Sequence, residues 1–246
     1  MDNISEKLNI ISKAKSDIKT AIENKGGVVG NIGIQEYATK INELQIGASE
    51  LEQELINSYI SSIDGSSGAN CTKIPDGVTV IGAHAFRYCT NLALTELPDG
   101  IVEIANLAFA YATALRLTKL PASLKEIGSS AFTSCPNVTF KEIPEGVRDF
   151  GTQIFMNCTG LTELTLKGNV RGIGKETFSG CTNLTKLIMP NITSVPSLSA
   201  TTSFNNTPIA NGTGYIYFPD ELVETAKTQT NWTAHAAQIK GVSELW

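Results

Sequence analysis

The stretch "EIGSSAFTSC", residues 126–135, sets Ile127, Gly128, Phe132 and Cys135 among small polar residues. The next phenylalanine of this kind stands 23 residues further on, and the one after it 23 beyond that. The full column is Phe86, Phe109, Phe132, Phe155 and Phe178. Other columns keep step with it. Ile81, Ile104, Ile127, Phe150 and Ile173 precede each phenylalanine by five, and Gly82, Ala105, Gly128, Gly151 and Gly174 come directly after them. Leu92, Leu115, Val138, Leu161 and Leu184 follow by six, and Leu97, Leu120, Ile143, Leu166 and Met189 by eleven. Pro75, Pro98, Pro121 and Pro144 mark the turn that begins each unit.

A constant interval of this size, with apolar residues in step, predicts a solenoid. One such unit cannot close a core. Stacked units bury one side chain per column per coil, about 4.8 Å apart if the coils pair as parallel strands, and each buried phenylalanine contributes roughly 1.5–3 kcal/mol. The small residue after the isoleucine column suits a tight bend or a close approach to the next coil. The expected fold is mainly β with short helices.

The period runs from about Cys71 to Met189, and a degenerate sixth unit follows in which Phe204 stands 26 rather than 23 residues after Phe178. A second irregularity lies inside the array. The middle apolar residue is Leu94, Leu117 and Phe140 in the first three units. In the next two that column holds Glu163 and Lys186, with Leu164 and Leu187 one position later. A one-residue slip turns a strand residue to the other face, so a change of surface is expected between the third and fourth coils.

Cys89, Cys135, Cys158 and Cys181 share a column in which the second unit has Ala112, while Cys71 lies outside the period. Their spacing is not that of a zinc knuckle, no histidine joins them, and parallel stacked side chains do not converge as a disulfide requires. They are read as buried thiols that fill space, a common use of free cysteine.

The 246 residues carry 19 basic and 24 acidic side chains, a net charge of −5, with no basic run. This excludes nucleic acid as an expected partner. No stretch approaches the roughly 18 apolar residues of a membrane span, and the start "MDNISEKLNI" has neither basic nor apolar leader character. The chain is therefore expected to be made in a cytosol and to leave it, if at all, within a larger assembly or by lysis.

Catalytic chemistry finds little support. The two histidines, His84 and His235, lack a neighbouring nucleophile or carboxylate pattern, and "GGVVGNIG" at 26–33 lacks the lysine of a phosphate loop. No catalytic residue, cofactor or metal site is expected. Binding is another matter. Lys125, Arg148 and Arg171 form one column and Glu103, Glu126 and Asp149 the next, either a self-neutralising ribbon or a surface that reads a ligand. Tyr88 and Tyr111 share a column continued by Ser134, Asn157 and Gly180; such a ladder suits stacking on sugar rings or shielding of the first coils. Tyr215, Tyr217, Phe218, Trp232 and Trp246 enrich the C-terminal segment in aromatics, which suits both capping and receptor contact. The candidate ligand-binding residues are thus Tyr88, Tyr111, Lys125, Arg148, Arg171, Tyr215 and Trp232. Asn137 and Asn183 head glycosylation sequons, discarded for a bacterial or phage cytosol.

Near the N-terminus, Ile4, Leu8, Ile11, Ile18 and Ile22 form a narrow helical stripe, and Ile34, Tyr37, Ala38, Ile41 and Leu44 a second. One reading is a helical hairpin folded against itself or the first coil; because a hairpin this short has little partner surface of its own, the other takes the first stripe as an oligomerising and docking face.

The units "IPDGVTVIGAHAFRYCTNL" (74–92), "LPASLKEIGSSAFTSCPNV" (120–138) and "LKGNVRGIGKETFSGCTNL" (166–184) resemble the BspA-like leucine-rich repeats of bacterial and phage surface proteins. That resemblance implies a right-handed solenoid with a binding role and no catalytic residues to transfer. The N-terminal segment resembles the helical module ahead of fibre or tail proteins of gut-bacterial phages, and "YIYFPDELVETAKTQTNWTAHAAQIKGVSEL" resembles a strand–helix–strand cap. The expected organisation is a helical anchoring and oligomerisation module at 1–47, a helical and Gly/Ser linker at 48–70, the solenoid at 71–212 and an α/β cap at 213–246. The expected function is non-enzymatic: a phage tail-fibre or receptor-binding protein in the virion. Its partners would be other virion proteins and a bacterial surface glycan or protein, and the resemblance favours a homotrimer with no membrane insertion. The alternatives are a bacterial cell-surface adhesin and a structural virion decoration such as a head fibre.

Overall fold

The computed structural model describes Ile74 and residues 78–245. The expected modules at 1–47 and 48–70, with Ile4, Leu8, Ile11, Ile18 and Ile22, lie outside the described residues, as do Cys71, Pro75 and Trp246.

The repeat folds into stacked coils joined along two strand columns, the second beginning at the third coil, with a turn ribbon between them. On one side β1 (Val80–Ile81), β2 (Glu103–Ile104) and β3 (Glu126–Ile127) pair in parallel, with Ile81, Ile104 and Ile127 in register. On the other side β4 (Glu142–Ile143) opens a second column. The first column resumes with β5 (Asp149–Phe150), and the second continues through β6 (Glu163–Leu166). β7 (Gly172–Ile173) and β9 (Ser197–Leu198) complete the first column, and β8 (Lys186–Ile188), β10 (Tyr215–Phe218) and β11 (Ile239–Gly241) the second. The register inside the array is the sequence period: Ile143 faces Leu166, and Leu164 faces Leu187.

The phenylalanine column forms the spine. Phe86, Phe109, Phe132, Phe155, Phe178 and Phe204 are buried, and consecutive rings stack nearly parallel with centroids 5.3, 5.4, 5.8, 5.8 and 5.7 Å apart. Gly128 shows why its column is small, since a Cβ there would run into the backbone of Ala105 and Asn106.

The turn ribbon holds the rings through its main chain. The N–H groups of His84, Phe86 and Tyr88 donate to the carbonyls of Asn106, Ala108 and Ala110 in the next coil, at 3.1, 2.7 and 2.8 Å. The intervening N–H groups of Ala85, Arg87 and Cys89 donate within their own coil, to Gly82, His84 and Phe86. This alternation requires left-handed backbone at two positions per coil. His84, Leu107, Ser130, Gln153 and Glu176 have φ between 57° and 61°. Tyr88, Tyr111, Ser134 and Asn157 have φ between 56° and 63°, and Gly180 completes their column at 76°.

The change of surface between the third and fourth coils is present. Coils one to three bury Leu94, Leu117 and Phe140 and expose the two residues that follow each, whereas coils four and five bury Leu164 and Leu187. The sixth coil keeps its ring in the stack by lengthening elsewhere. Ile173 pairs with Leu198, two residues beyond the usual offset, and a 3-10 turn over Thr201–Phe204 takes up one more.

The C-terminal segment is a strand–helix–strand cap: β10, α1 (Val223–Thr228) and β11, with a 3-10 helix over Trp232–Gln238. Trp232 is fully buried against Phe204 and Phe218, and its Nε1–H donates to the Pro196 carbonyl at 2.7 Å. His235 packs edge-on against Phe204 at 5.1 Å; its Nε2 is buried with no hydrogen-bond partner among the described residues. Burial lowers the His235 pKa, offset in part by a backbone hydrogen bond at Thr201.

Replacing Phe132 by Ala should destabilise the protein by about 3–5 kcal/mol, since the cavity lies between two stacked rings. Gly128→Ala should also destabilise, by about 1–3 kcal/mol, because backbone must move to admit the methyl. Urea unfolding checks both. A histidine with a lowered folded pKa contributes stability that is fully present above its unfolded pKa of about 6.5 and is lost as pH falls through the folded value. Wild-type protein should therefore lose more stability than His235→Gln between about pH 7.5 and about pH 5, measured by urea melts at each pH.

Candidate recognition surface

The turn ribbon and the strand columns carry the exposed side chains that the sequence singles out. On the turn ribbon, Tyr88 and Tyr111 are the exposed large hydrophobic residues among those described, at 47 % and 36 %. Their rings stack with centroids 4.8 Å apart and planes 19° from parallel. The Arg87 guanidinium lies 4.7 Å from the Tyr88 ring centroid, and its Nη2 donates to the Tyr88 hydroxyl at 3.1 Å. Exposed His84 approaches Arg87 through Nδ1 at 3.4 Å. In the third coil the column continues with Ser134, so the face of Tyr111 turned toward that coil ends the stack. Arg87 was not a sequence candidate, although its place directly before Tyr88 is a signal that a cation–ring contact was available.

The charged columns occupy the strand face. Arg171 pairs with Asp149 through both nitrogens of its fork, Nε reaching Oδ1 at 3.1 Å, and this pairing raises the arginine pKa. Among the described residues no carboxylate pairs with Lys125 or Arg148. Glu103 has a raised pKa because it is partly buried and then because Glu126 stands beside it in register. The self-neutralising ribbon is thus closed at one diagonal and open at the others. A groove of about 470 Å³ runs along it, lined by Lys125, Glu126, Ser129, Arg148, Asp149 and Arg171 among others.

Two sequence candidates fall in the cap. Tyr215 is half-buried, with Lys240 Nζ 4.1 Å from its ring centroid. Trp232 has no exposed face, because the cap uses the whole indole as a plug and its N–H is spent on Pro196; its assignment as a ligand contact is corrected. Tyr88 and Tyr111 come together, Lys125, Arg148 and Arg171 share one groove, and Tyr215 belongs to neither group.

The cysteine column is buried, and its thiols hydrogen-bond to the backbone. Cys135, Cys158 and Cys181 donate Sγ–H to the carbonyls of Phe109, Phe132 and Phe155, each at 3.0 Å. Burial pushes Cys135 and Cys181 up to about 12 and Cys158 well above the usual thiol range. Among the described residues no group of His, Cys, Asp or Glu is arranged to hold a metal, and no helix is long and apolar enough to cross a membrane.

Parallel coils with a buried ring spine define a repeat scaffold. The chain belongs to the family of the BspA type leucine-rich repeat region, which matches residues 79–210 in six copies, over half of its length. The match indicates no catalytic family. Three solved structures are similar. A leucine-rich repeat protein from Bacteroides ovatus is 28 % identical, with 62 % of this chain and 44 % of that chain covered and a TM-score of 0.48. The leucine-rich repeat protein of T. pallidum is 33 % identical, with coverage of 46 % and 63 % and a TM-score of 0.35. A leucine rich cell surface protein from Faecalibacterium prausnitzii is 19 % identical, with coverage of 69 % and 58 % and a TM-score of 0.30. The chain thus spans less than two thirds of the length of each of these relatives. A comparison with curated proteins found no match.

Peptide mapping after alkylation at about pH 8 should find Cys135, Cys158 and Cys181 unmodified in the native protein and fully modified in urea, because the thiolate is the reactive form and burial suppresses it. Native labelling of Cys158 would contradict the buried column.

Proposed function

We propose that this chain is a non-enzymatic recognition protein for a ligand on a bacterial surface, and that it reads a ring of that ligand, a sugar ring in the first instance, at the open end of the Tyr88–Tyr111 stack. The observation that carries the reading is the exposed, stacked Tyr88–Tyr111 pair with Arg87 against it, set on left-handed backbone. The ribbon demands left-handed φ at this column in every coil, a conformation that suits Gly or Asn and costs roughly 1–2 kcal/mol for other residues. Coils four and five meet it with Asn157 and Gly180, whereas coils one and two place tyrosines there at φ 62° and 63°. The backbone gains nothing from those rings. Their benefit lies on the outside, where rigid Tyr and Arg side chains are the usual anchors of recognition. Ser134 leaves the next place in the stack vacant for a ligand ring.

Two carriers fit this chemistry. One is a phage tail fibre, docked as a homo-oligomer to other virion proteins through the N-terminal segment. The other is a bacterial cell-surface adhesin, the carrier that membership of a BspA-type family favours. Gold-labelled antibody on phage particles and on producing cells separates them.

The binding test uses the purified full chain on bacterial cells. Tyr88→Ser with Tyr111→Ser copies the third coil's residue, so folding should be unaffected while cell binding falls at least about tenfold, in keeping with the loss of aromatic anchors. Ser134→Tyr should also abolish binding by filling the vacant place. Undiminished binding by both variants would end the assignment.

A further inference from the structure

The strand column holding the charged groove is not continuous. β1, β2 and β3 form one sheet and β5, β7 and β9 another, so the ladder breaks between the third and fourth coils. Elsewhere on this face the donors follow a rule. Lys125 N–H donates to Val102 and Gly128 N–H to Ile104; one coil beyond the break, Arg171 N–H donates to Arg148 and Gly174 N–H to Phe150. The equivalent donors of the fourth coil, the N–H groups of Arg148 and Gly151, make no such bond to β3. These donors border the groove that also contains the guanidinium of Arg148 and the ammonium of Lys125, neither paired with a carboxylate among the described residues.

Two larger core side chains stand at the break. Phe140 replaces the leucine of the first two coils and stands edge-on to both Phe132 and Phe155, 5.8 Å from each. The spacing of the phenylalanine stack widens from 5.4 to 5.8 Å at this step and stays at 5.8 Å at the next, where β5 and β7 pair. Phe150, in place of isoleucine, adds a second oversized side chain to the strand column.

We propose that this break is an anion-binding subsite, and that it takes a carboxylate of an acidic polysaccharide. Oriented backbone N–H groups in a concavity bind anions, the Arg148 fork matches a carboxylate, and Lys125 adds a compact charge. Asp149 is already neutralised by Arg171, which leaves Glu126 as the unpaired carboxylate of the groove. Gly128, Gly146 and Gly151 also line the groove. The subsite lies on a different face from the tyrosine stack and does not depend on it.

The test measures binding of the full-length protein to immobilised polygalacturonate, with neutral dextran as the comparison polymer and free galacturonate as competitor. Wild-type protein should bind the acidic polymer, lose it as salt is raised, and ignore dextran. Competition by free galacturonate assigns recognition to the single carboxylate sugar; binding without it assigns recognition to the extended polymer. Both agree with the subsite. Lys125→Gln with Arg148→Gln should weaken binding at least about tenfold, as expected for charge-assisted contacts. Lys119→Gln with Lys141→Gln removes the same charge from the opposite column and should leave binding unchanged. Equal loss in both pairs, or no binding by wild type, would overturn the proposal. The Tyr88→Ser, Tyr111→Ser variant should bind the polymer as wild type does, so failure of the tyrosine reading and failure of this one are told apart.

Discussion

The structure depends on one constraint: each phenylalanine must lie over the phenylalanine of the neighbouring coil. Ring centroids 5.3 to 5.8 Å apart exceed the strand repeat of about 4.8 Å, so the rings stack offset rather than squarely. The turn ribbon accommodates this by giving every second N–H to the next coil and every other one to its own. That pattern fixes the two left-handed positions per coil whatever residue occupies them. Fold and surface chemistry meet at these positions. The ribbon imposes a backbone that most side chains resist, and the residues tolerated there project from it toward solvent.

The apolar columns were legible from the sequence because each is set by burial, and burial selects residue type. Ile81, Phe86, Leu92 and Leu97 with their copies lie where the period put them. The left-handed positions were not legible. His84, Leu107, Ser130, Gln153 and Glu176 share no chemistry, and the usual glycine or asparagine marker is absent from that column. Their φ is dictated by inter-coil hydrogen bonds, which side-chain pattern does not encode. Trp232 misled for a related reason. An aromatic near a chain end suits a plug and a contact equally well, and only its hydrogen bond to Pro196 and its rings on either side decide between them. At the candidate site the tyrosine pair could be read from its column. The failure of Lys125 and Arg148 to pair could not, since like spacing predicted three equivalent diagonals and only Arg171 closes one.

The third and fourth coils show how a small departure from the repeat spreads through a stacked structure. Phe140 enlarges one layer of the core. The ring column answers by widening, one strand column parts, and the other begins: β4 is the first strand on its side, and β6 is twice its length. The one-residue slip from Phe140 to Leu164 belongs to the same change. With a residue removed from the inward position and its neighbour turned in, the fourth coil alternates half-buried and buried residues as a strand does, whereas the fifth buries Leu187 and Ile188 in succession. The first two coils form no strand there, and the third only the two residues of β4. A repeat array communicates between neighbours, and this change is handed on to the fifth coil, which keeps the wider ring spacing and the slipped register. It can alter the surface without endangering the spine.

The two columns also end differently, and the cap resolves both. The second column is continued by β10 and β11, whose parallel register carries the coil spacing into a segment with no repeat. An open edge there would invite pairing with another chain. Instead Gly241 N–H donates to the Glu244 carboxylate, and Asp220 accepts from the backbone and hydroxyl of Ser243. The first column has no further strand after β9, and side chains terminate it. Asn231 donates to the Leu198 carbonyl at 2.6 Å, Trp232 to Pro196, and Gln229 reaches the carbonyls of Val195 and Pro196. Asn231 does this from backbone with a positive φ of 65° and a ψ of −30°. The cap therefore satisfies a strand edge with amides and an indole while its tryptophan closes the ring stack at Phe204, so the polar and apolar ends of the solenoid are sealed by the same few residues.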